Sequence, residues 1–424
     1  MDQAVAYSTL AMTVTLAVAR PRVFGLRLRV TPGAAAVAGV ILLLLFGLLS
    51  SRDLAEAALV QWRPLVALTS IMVTTGVAQE VGAFERLARV LEGYARRTSP
   101  ERAFGAVFLV AAIVPSLLNN DAAILLLTPV VVGLARRLAP TRPGLTEAFA
   151  FAVFLAPGVA PFVVSNPMNM IVAEFAGIPF NAYSRIMAPV AVAGAVVTWL
   201  VLRRAFRSRF DGVVFAPTPV VVPPAHPAER PLVVLLVAVF LAYPVMASFG
   251  GPIWLVSLLG AAMAFALGVR HRVAPARRLL GHVSPDILVF LWGVFLVVVG
   301  LRHVGVVDRL RVIYDAFPRG SWSRLVAVGG LASLGSAVVD NHPMALLDMM
   351  ALGKGTDDGA LLAALVGGDI GPRLLPIGSL AGLLWMDRLR RNGVTIGIGT
   401  FVRVGTLALV PTWVVSILIL GFLR

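Results

Sequence analysis

No cysteine occurs among the 424 residues, which excludes disulfides, thiolate metal centres and cysteine nucleophiles together. Charge is scarce as well: charged residues make up 13% and hydrophobic residues 59%. Soluble globular proteins carry roughly 45 to 50% apolar residues. With a mean hydropathy of +0.91, the chain reads as an all-α polytopic membrane protein. Acids are scarcer than bases, 21 against 36, giving a formal net charge of +15. The arginines stand in short clusters at the ends of apolar runs, as in cytoplasmic loops of membrane proteins, so the excess points to lipid and not to nucleic acid. The single Gly-Lys pair, Gly353-Lys354, has no strand before it, so ATP hydrolysis by a phosphate loop is excluded. Neither a Ser/His/Asp nor an HExxH arrangement is present, and the reading is of a non-enzyme without cofactor or metal.

Apolar runs cover 4–19, 33–50, 62–79, 103–135, 148–178 and 186–202, and then 231–249, 252–269, 285–301, 323–352, 359–386 and 397–423. The first has Asp2 before it and arginines after it, the reverse of a signal peptide, so it is expected to remain as a helix. Each half gives three ordinary spans, two overlong interrupted runs and a final span. The domain plan is a first repeat over 1–210, a Pro-rich cytoplasmic linker over 211–230 and a second repeat over 231–424. Each third span is followed by an amphipathic segment, 80–97 or 303–319, expected to lie along the membrane interface.

Arginine clusters orient the chain. Arg20, Arg22, Arg27 and Arg29 mark the first connection as cytoplasmic, which puts the N-terminus outside. The run 103–135 has Arg102 at one end and Arg136 and Arg137 at the other, so it should enter and return as a re-entrant hairpin. The second hairpin, 323–352, then enters from the opposite side. The halves become inverted repeats, with about ten transmembrane helices, two hairpins and broken helices at a midplane site, as in secondary transporters. One cluster disagrees: Arg302, Arg309, Arg311, Arg319 and Arg324 would lie outside.

Four interruptions stand at matched places: Asn119-Asn120-Asp121 and Asp340-Asn341-His342-Pro343 at the hairpin tips, Ser165-Asn166-Pro167-Met168-Asn169 in the broken run 148–178, and Gly367 to Pro372 in the broken run 359–386. Proline and glycine free backbone groups at membrane depth, where they survive only inside protein or against a cavity. Asn119, Asn120, Ser165, Asn166, Asn169, Asn341 and Gly371 are therefore candidate substrate-binding residues, and Asp121, Asp340, His342 and Asp369 candidate coupling residues. An acid in a partly dry site can exchange a proton near neutral pH, whereas a carboxylate ringed by oxygens can hold Na⁺. Residue types alone leave both open, as they leave His342 either a titrating or a capping group. Glu174 and Asp348 read equally as packing acids or functional ones.

The runs NNDAAILLLTPVV, VVSNPMNMIVAEFAGIPFNAYSRIMAPV and GGDIGPRLLPIGSLAGLLWM resemble the arsenical pump membrane protein (ArsB) family of the ion transporter superfamily. The resemblance covers both repeats. It implies an inner-membrane carrier exporting arsenite or antimonite by proton antiport, with a soluble ATPase subunit and a homodimer as further partners open to such carriers. Within the family pattern, Asn120 and Asp121, then Ser165, Asn166 and Asn169, then Asp369, Gly371 and Pro372 match positions of the site. Two departures, Asp340-Asn341-His342-Pro343 in place of Asn-Asn-x-Pro and Asn120-Asp121-Ala122-Ala123 in place of Asn-Asp-Gly-Ala, bear on the substrate. The alternative is a Na⁺- or H⁺-coupled carrier of another small anion such as a dicarboxylate, or a Na⁺/H⁺ antiporter of the same superfamily.

Overall fold

The computed structural model describes residues 1–21, 29–215, 220–355 and 357–424, with the side chains of residues 121 and 122 also outside the described set. Arg22 and Arg27 of the first basic connection, part of the linker, and the Asp121 side chain thus lie outside the described residues. The described chain is helical almost throughout. Helices α1 (Asp2–Ala19), α2 (Pro32–Leu45), α3 (Ser51–Glu80), α4 (Ala83–Ala95), α5 (Pro100–Leu117), α6 (Asn120–Leu138), α7 (Pro143–Leu155), α8 (Pro167–Ala176), α9 (Phe180–Ala205) and a short α10 (Arg207–Phe210) come first. After the linker follow α11 (Glu229–Ser248), α12 (Ile253–Arg270), a short α13 (Ala276–Leu280), α14 (Pro285–His303), α15 (Val306–Asp315), α16 (Trp322–Val339), α17 (Asn341–Leu352), α18 (Asp358–Ile370), α19 (Leu380–Arg391) and α20 (Ile398–Leu423).

Local chemistry starts these helices where they start. A Thr, Ser or Asn side chain accepts a backbone N–H at the head of α2, α5, α8 and α14, and proline follows as the first helical residue, where its missing N–H costs nothing. Ser50 and Asp53 form a capping box at α3, which therefore begins eleven residues before the apolar run at 62 that marks it in the sequence. The preceding run, 33–50, stops as a helix at Leu45, so α2 has 14 residues and a length of about 21 Å. Eight helices among the described residues are long and apolar enough to cross a membrane, and two of these, α5 and α16, are the first arms of the two hairpins.

The two halves repeat one order: three helices, an amphipathic helix, a hairpin, a broken helix and a closing helix. They interlock, with α2 packed on α14, α3 on α12, and α9 on α20. Contact is close where glycine meets a neighbour, as at Gly293 against Ala36. Direction is inverted: α14 ends beside the start of α3, with His303 bonded to the Leu48 carbonyl at 3.0 Å and 3.4 Å from Asp53, while the far end of α3 carries Glu80 at 2.9 Å from Arg278. The amphipathic helices α4 and α15 accordingly sit at opposite ends. Each is set off from its span by a left-handed glycine, Gly82 at φ 85° or Gly305 at φ 80°.

The arginines that disagree with the charge rule are largely engaged. Arg324 is buried and paired with Asp357 at 2.8 Å and Asp315 at 3.2 Å, Arg309 donates to Gln3 at 3.1 Å, and Arg311 donates to the carbonyls of Ala351 and Met350. These side chains close helix ends and hold segments together, so they carry less of the loop charge that orients a membrane protein.

At the other end α4 is fixed by Glu92, whose carboxylate meets Arg96 and Arg137 at 2.8 Å each and Arg89 at 3.2 Å. Burial alone would raise this carboxyl, but the hydrogen bonds and charges of Arg96 and Arg137 hold it below its usual value of 4.5. A lowered carboxyl stabilises the fold fully above its unfolded pKa and ceases to do so as pH falls through the folded one. The stability gap between wild type and Glu92→Gln should therefore be full at neutral pH and close only in acid below 4.5, as followed by thermal unfolding in detergent.

Candidate functional site

Both broken helices expose backbone groups inside the molecule, and the first break is answered from the other repeat. The first break runs from Ala156 to Asn166, where the Asn166 side chain caps α8 by accepting the Met168 N–H at 3.0 Å. The second holds two 3₁₀ turns, Gly371–Arg373 and Pro376–Gly378, before Ser379 caps α19. Asp369, near the end of α18, reaches across to the first break. Its carboxylate accepts the Ala160 N–H at 2.9 Å, the Asn166 amide at 2.8 Å and the Asn169 amide at 3.4 Å. Asn169 also donates to the Tyr183 hydroxyl at 2.6 Å, and Tyr183 donates to the Ala160 carbonyl at 3.0 Å. Both backbone groups of Ala160 are thereby satisfied.

Arg373, also from the second repeat, brings the opposite charge to the same break. Buried, it donates to the Leu155 carbonyl at the end of α7 at 2.7 Å and to Thr198 at 3.1 Å, close enough to Asp369 for their charges to interact. One helix end thus receives a cation and the chain after it an anion, as the polarity of free carbonyls and N–H groups demands. Trp385 of α19 packs on Phe154 of α7 at 4.7 Å and fixes the two broken helices together.

The hairpins join this centre. Ser165 donates to the carbonyl of Ser116 in α5 at 2.6 Å. Asn119 is buried, Asn120 is half-buried as the first residue of α6, and Asp121 follows in the same helix. On the second hairpin Asp340 adopts φ 75°, a left-handed conformation that costs a non-glycine residue energy, and caps α17. Its Oδ1 lies 3.0 Å from the His342 backbone nitrogen and 2.8 Å from His342 Nδ1. Gly371 packs where α16 comes closest, since a Cβ there would lie 2.2 Å from the Ser333 carbonyl oxygen. It admits a neighbouring backbone. Several polar atoms of this region are buried without a hydrogen-bond partner: Asn169 Oδ1, Asn341 Oδ1 and the hydroxyls of Ser333 and Ser336.

Sequence reasoning singled out Asp369, Asn166, Asn169 and Ser165, and the structure brings these together. It missed Tyr183 and Arg373. A phenol shortly after the broken run and a lone arginine inside an apolar one were the available signals.

The profile of the arsenical pump membrane protein family (ArsB) matches residues 6–423, which includes every element just described. The chain belongs to that family. An arsenical pump membrane protein of Escherichia coli K12 is 28% identical over 419 residues, spanning 96% of this chain and 95% of its own. One from Yersinia enterocolitica is 27% identical over 423 residues, spanning 97% and 96%. The solved structure of the YdaH transporter from Alcanivorax borkumensis superposes with a TM-score of 0.58 at 14% identity, covering 99% of this chain and 96% of that one. At that identity the likeness speaks for the fold. This ArsB-family chain is a multi-pass membrane transporter.

Asp369→Asn keeps the shape of the side chain but turns one acceptor toward N–H donors with a donor of its own. Losing charge-assisted bonds costs about 1.5 to 3 kcal/mol each, so the variant should unfold well before wild type in a detergent stability assay. Tyr183→Phe, which leaves the buried Ala160 carbonyl without a donor and the Asn169 amide without one of its acceptors, should lose about 1 to 3 kcal/mol in the same assay.

Proposed function

We propose that this protein exports arsenite and antimonite, as their neutral trihydroxides, across the cell's inner membrane by antiport with protons. Alternating access would occur around the meeting point of the four breaks. The observation that carries the reading is the set of unpartnered acceptors there, above all Asn169 Oδ1 and Asn341 Oδ1. A trihydroxide brings three O–H donors, and a buried acceptor left unmade is costly until such a donor arrives. No thiolate competes for the metalloid, because the chain contains no cysteine.

A neutral solute gives the membrane potential nothing to act on, so export against a gradient requires coupling to another flow. Proton entry supplies it if a carboxyl at the site binds and releases a proton during each cycle. Asp369 holds three N–H donors of the first break. Coupling requires one such carboxyl; those at the junction and the hairpin tips belong to Asp369, Asp340 with its partner His342, and Asp121. A soluble ATPase or a second copy of the chain would add to this scheme without replacing it.

Expression in arsenite-sensitive cells that lack an arsenical ATPase tests the reading. Resistance should rise, and everted vesicles should accumulate arsenite when acidified inside, with neither Na⁺ nor a dicarboxylate able to substitute. Absence of both resistance and uptake overturns it. Asn169→Asp in the same assay should impair uptake, since it removes the amide that donates to Tyr183 and adds a second anion beside Asp369.

A further inference from the structure

Asp348, in the second arm of the second hairpin, takes no part in the junction just described. Its side chain is buried, with a relative exposure of 1% for the residue. The Tyr314 hydroxyl of α15 donates to Oδ1, and Oδ2 has no hydrogen-bond partner. Among the described residues no cation forms an ion pair with it. The neighbouring charges are committed elsewhere. On α15, Arg311 binds the Met350 and Ala351 carbonyls and lies 3.5 Å from Asp308. Arg324 of α16 is taken by Asp315, the Tyr314 carbonyl and Asp357 at the head of α18. Glu174 of α8 pairs with Arg63, Arg302 at the end of α14 is exposed, and His342, earlier in α17, faces Asp340.

A neutral carboxylic acid needs little more than the one hydroxyl contact Asp348 has; an anion in the same place would need a cation or several donors. The next two residues, Met349 and Met350, line a cavity of about 390 Å³ at the end of the molecule that carries α15. Asp53, Glu56, Arg302, Asp308 and Arg311 line the same cavity, so its walls are polar enough to hold water one and two residues along α17 from the buried acid. Gln61, fully buried with neither amide atom bonded, follows the lining residues Ala57 and Val60 by one turn and one step of α3.

We propose that Asp348 is a proton-binding site, served through this cavity, and that it carries the exchanged proton of the transport cycle. One proton binds at Oδ2 and neutralises the carboxylate, Tyr314 keeps its bond to Oδ1, and the proton leaves to water when the site is next hydrated. The assignment rests on the proton-exchange reading above.

Infrared difference spectra of the purified protein in lipid, without substrate, test the site directly. Wild type should show a protonated-carboxyl C=O band that vanishes as pH rises and is missing from Asp348→Asn. In Tyr314→Phe the band should persist and move to higher pH, because the anion loses its only donor. Identical carboxyl bands in wild type and Asp348→Asn overturn the proposal, and so does a Tyr314→Phe titration that matches wild type. In proteoliposomes Asp348→Asn should lose arsenite accumulation driven by a pH gradient while retaining arsenite exchange between equal concentrations. Gradient-driven accumulation equal to wild type would remove Asp348 from the cycle. If wild type itself moves arsenite without protons, the coupling reading fails, and with it the place of Asp348 in the cycle, while the spectra still decide whether it binds a proton.

Discussion

A backbone N–H or carbonyl freed inside hydrocarbon costs several kcal/mol if it finds no partner, and this molecule frees such groups at four places. The second broken helix meets the cost of the first. Asp369 of the second takes the Ala160 N–H of the first, and Arg373 of the second takes the Leu155 carbonyl of the first. The side chains that make the first break tolerable belong to the opposite repeat, so the first half does not keep its break alone. That dependence explains why the repeats interlock: α2 lies on α14 and α3 on α12, and the contact of α9 with α20 leaves Thr198 within 2.9 Å of Thr412.

Inversion places an amphipathic helix at each end, and each grips the second arm of its own hairpin. At one end Glu92 of α4 holds Arg137 near the end of α6; at the other Tyr314 of α15 holds Asp348 of α17, and Arg311 closes the last carbonyls of that arm. Geometry repeats while chemistry does not. The first contact is an ion pair at the C-terminal end of α6, where arginine suits the helix dipole. The second joins two groups that are neutral when protonated, in the interior.

Much of the fold was legible because hydrocarbon imposes simple rules. Both hairpins follow from apolar runs too long for one crossing, with Asn and Asp at their middles, and the four breaks follow from proline, glycine and amides where helix should continue. The early start of α3 was also written in the sequence, as Ser50 and Asp53, but its polar first turns concealed it from a reading by hydropathy. Tyr183 and Arg373 could not be assigned in advance because their partners are distant: Arg373 meets Thr198 and Leu155, 175 and 218 residues away. The charge rule misled at Arg309, Arg311 and Arg324 for a related reason. It counts arginines as loop charge, and these are spent on specific acids, amides and carbonyls that only the folded chain brings near.

Repeats with a shared frame can divide labour only where their residues differ. The frame itself, breaks and hairpins and closing helices, recurs in both halves and meets the same backbone requirement in each. The differences are few: an Asn-Asn-Asp tip against Asp-Asn-His-Pro, a broken helix rich in amides against one that supplies the anion and the cation, and a clamp of arginines against a buried acid with a phenol. In the first half the polar groups are chiefly amides and hydroxyls, suited to binding a neutral solute. In the second half ionisable groups gather: Arg324, Asp340, His342, Asp348 and Arg373 are buried, and Asp369 is half-buried. Under the proposed exchange of arsenite for protons, such a division would let one repeat shape the solute's site while the other answers to protons, with the junction at Asp369, where the two meet, as the point through which either would act on the other.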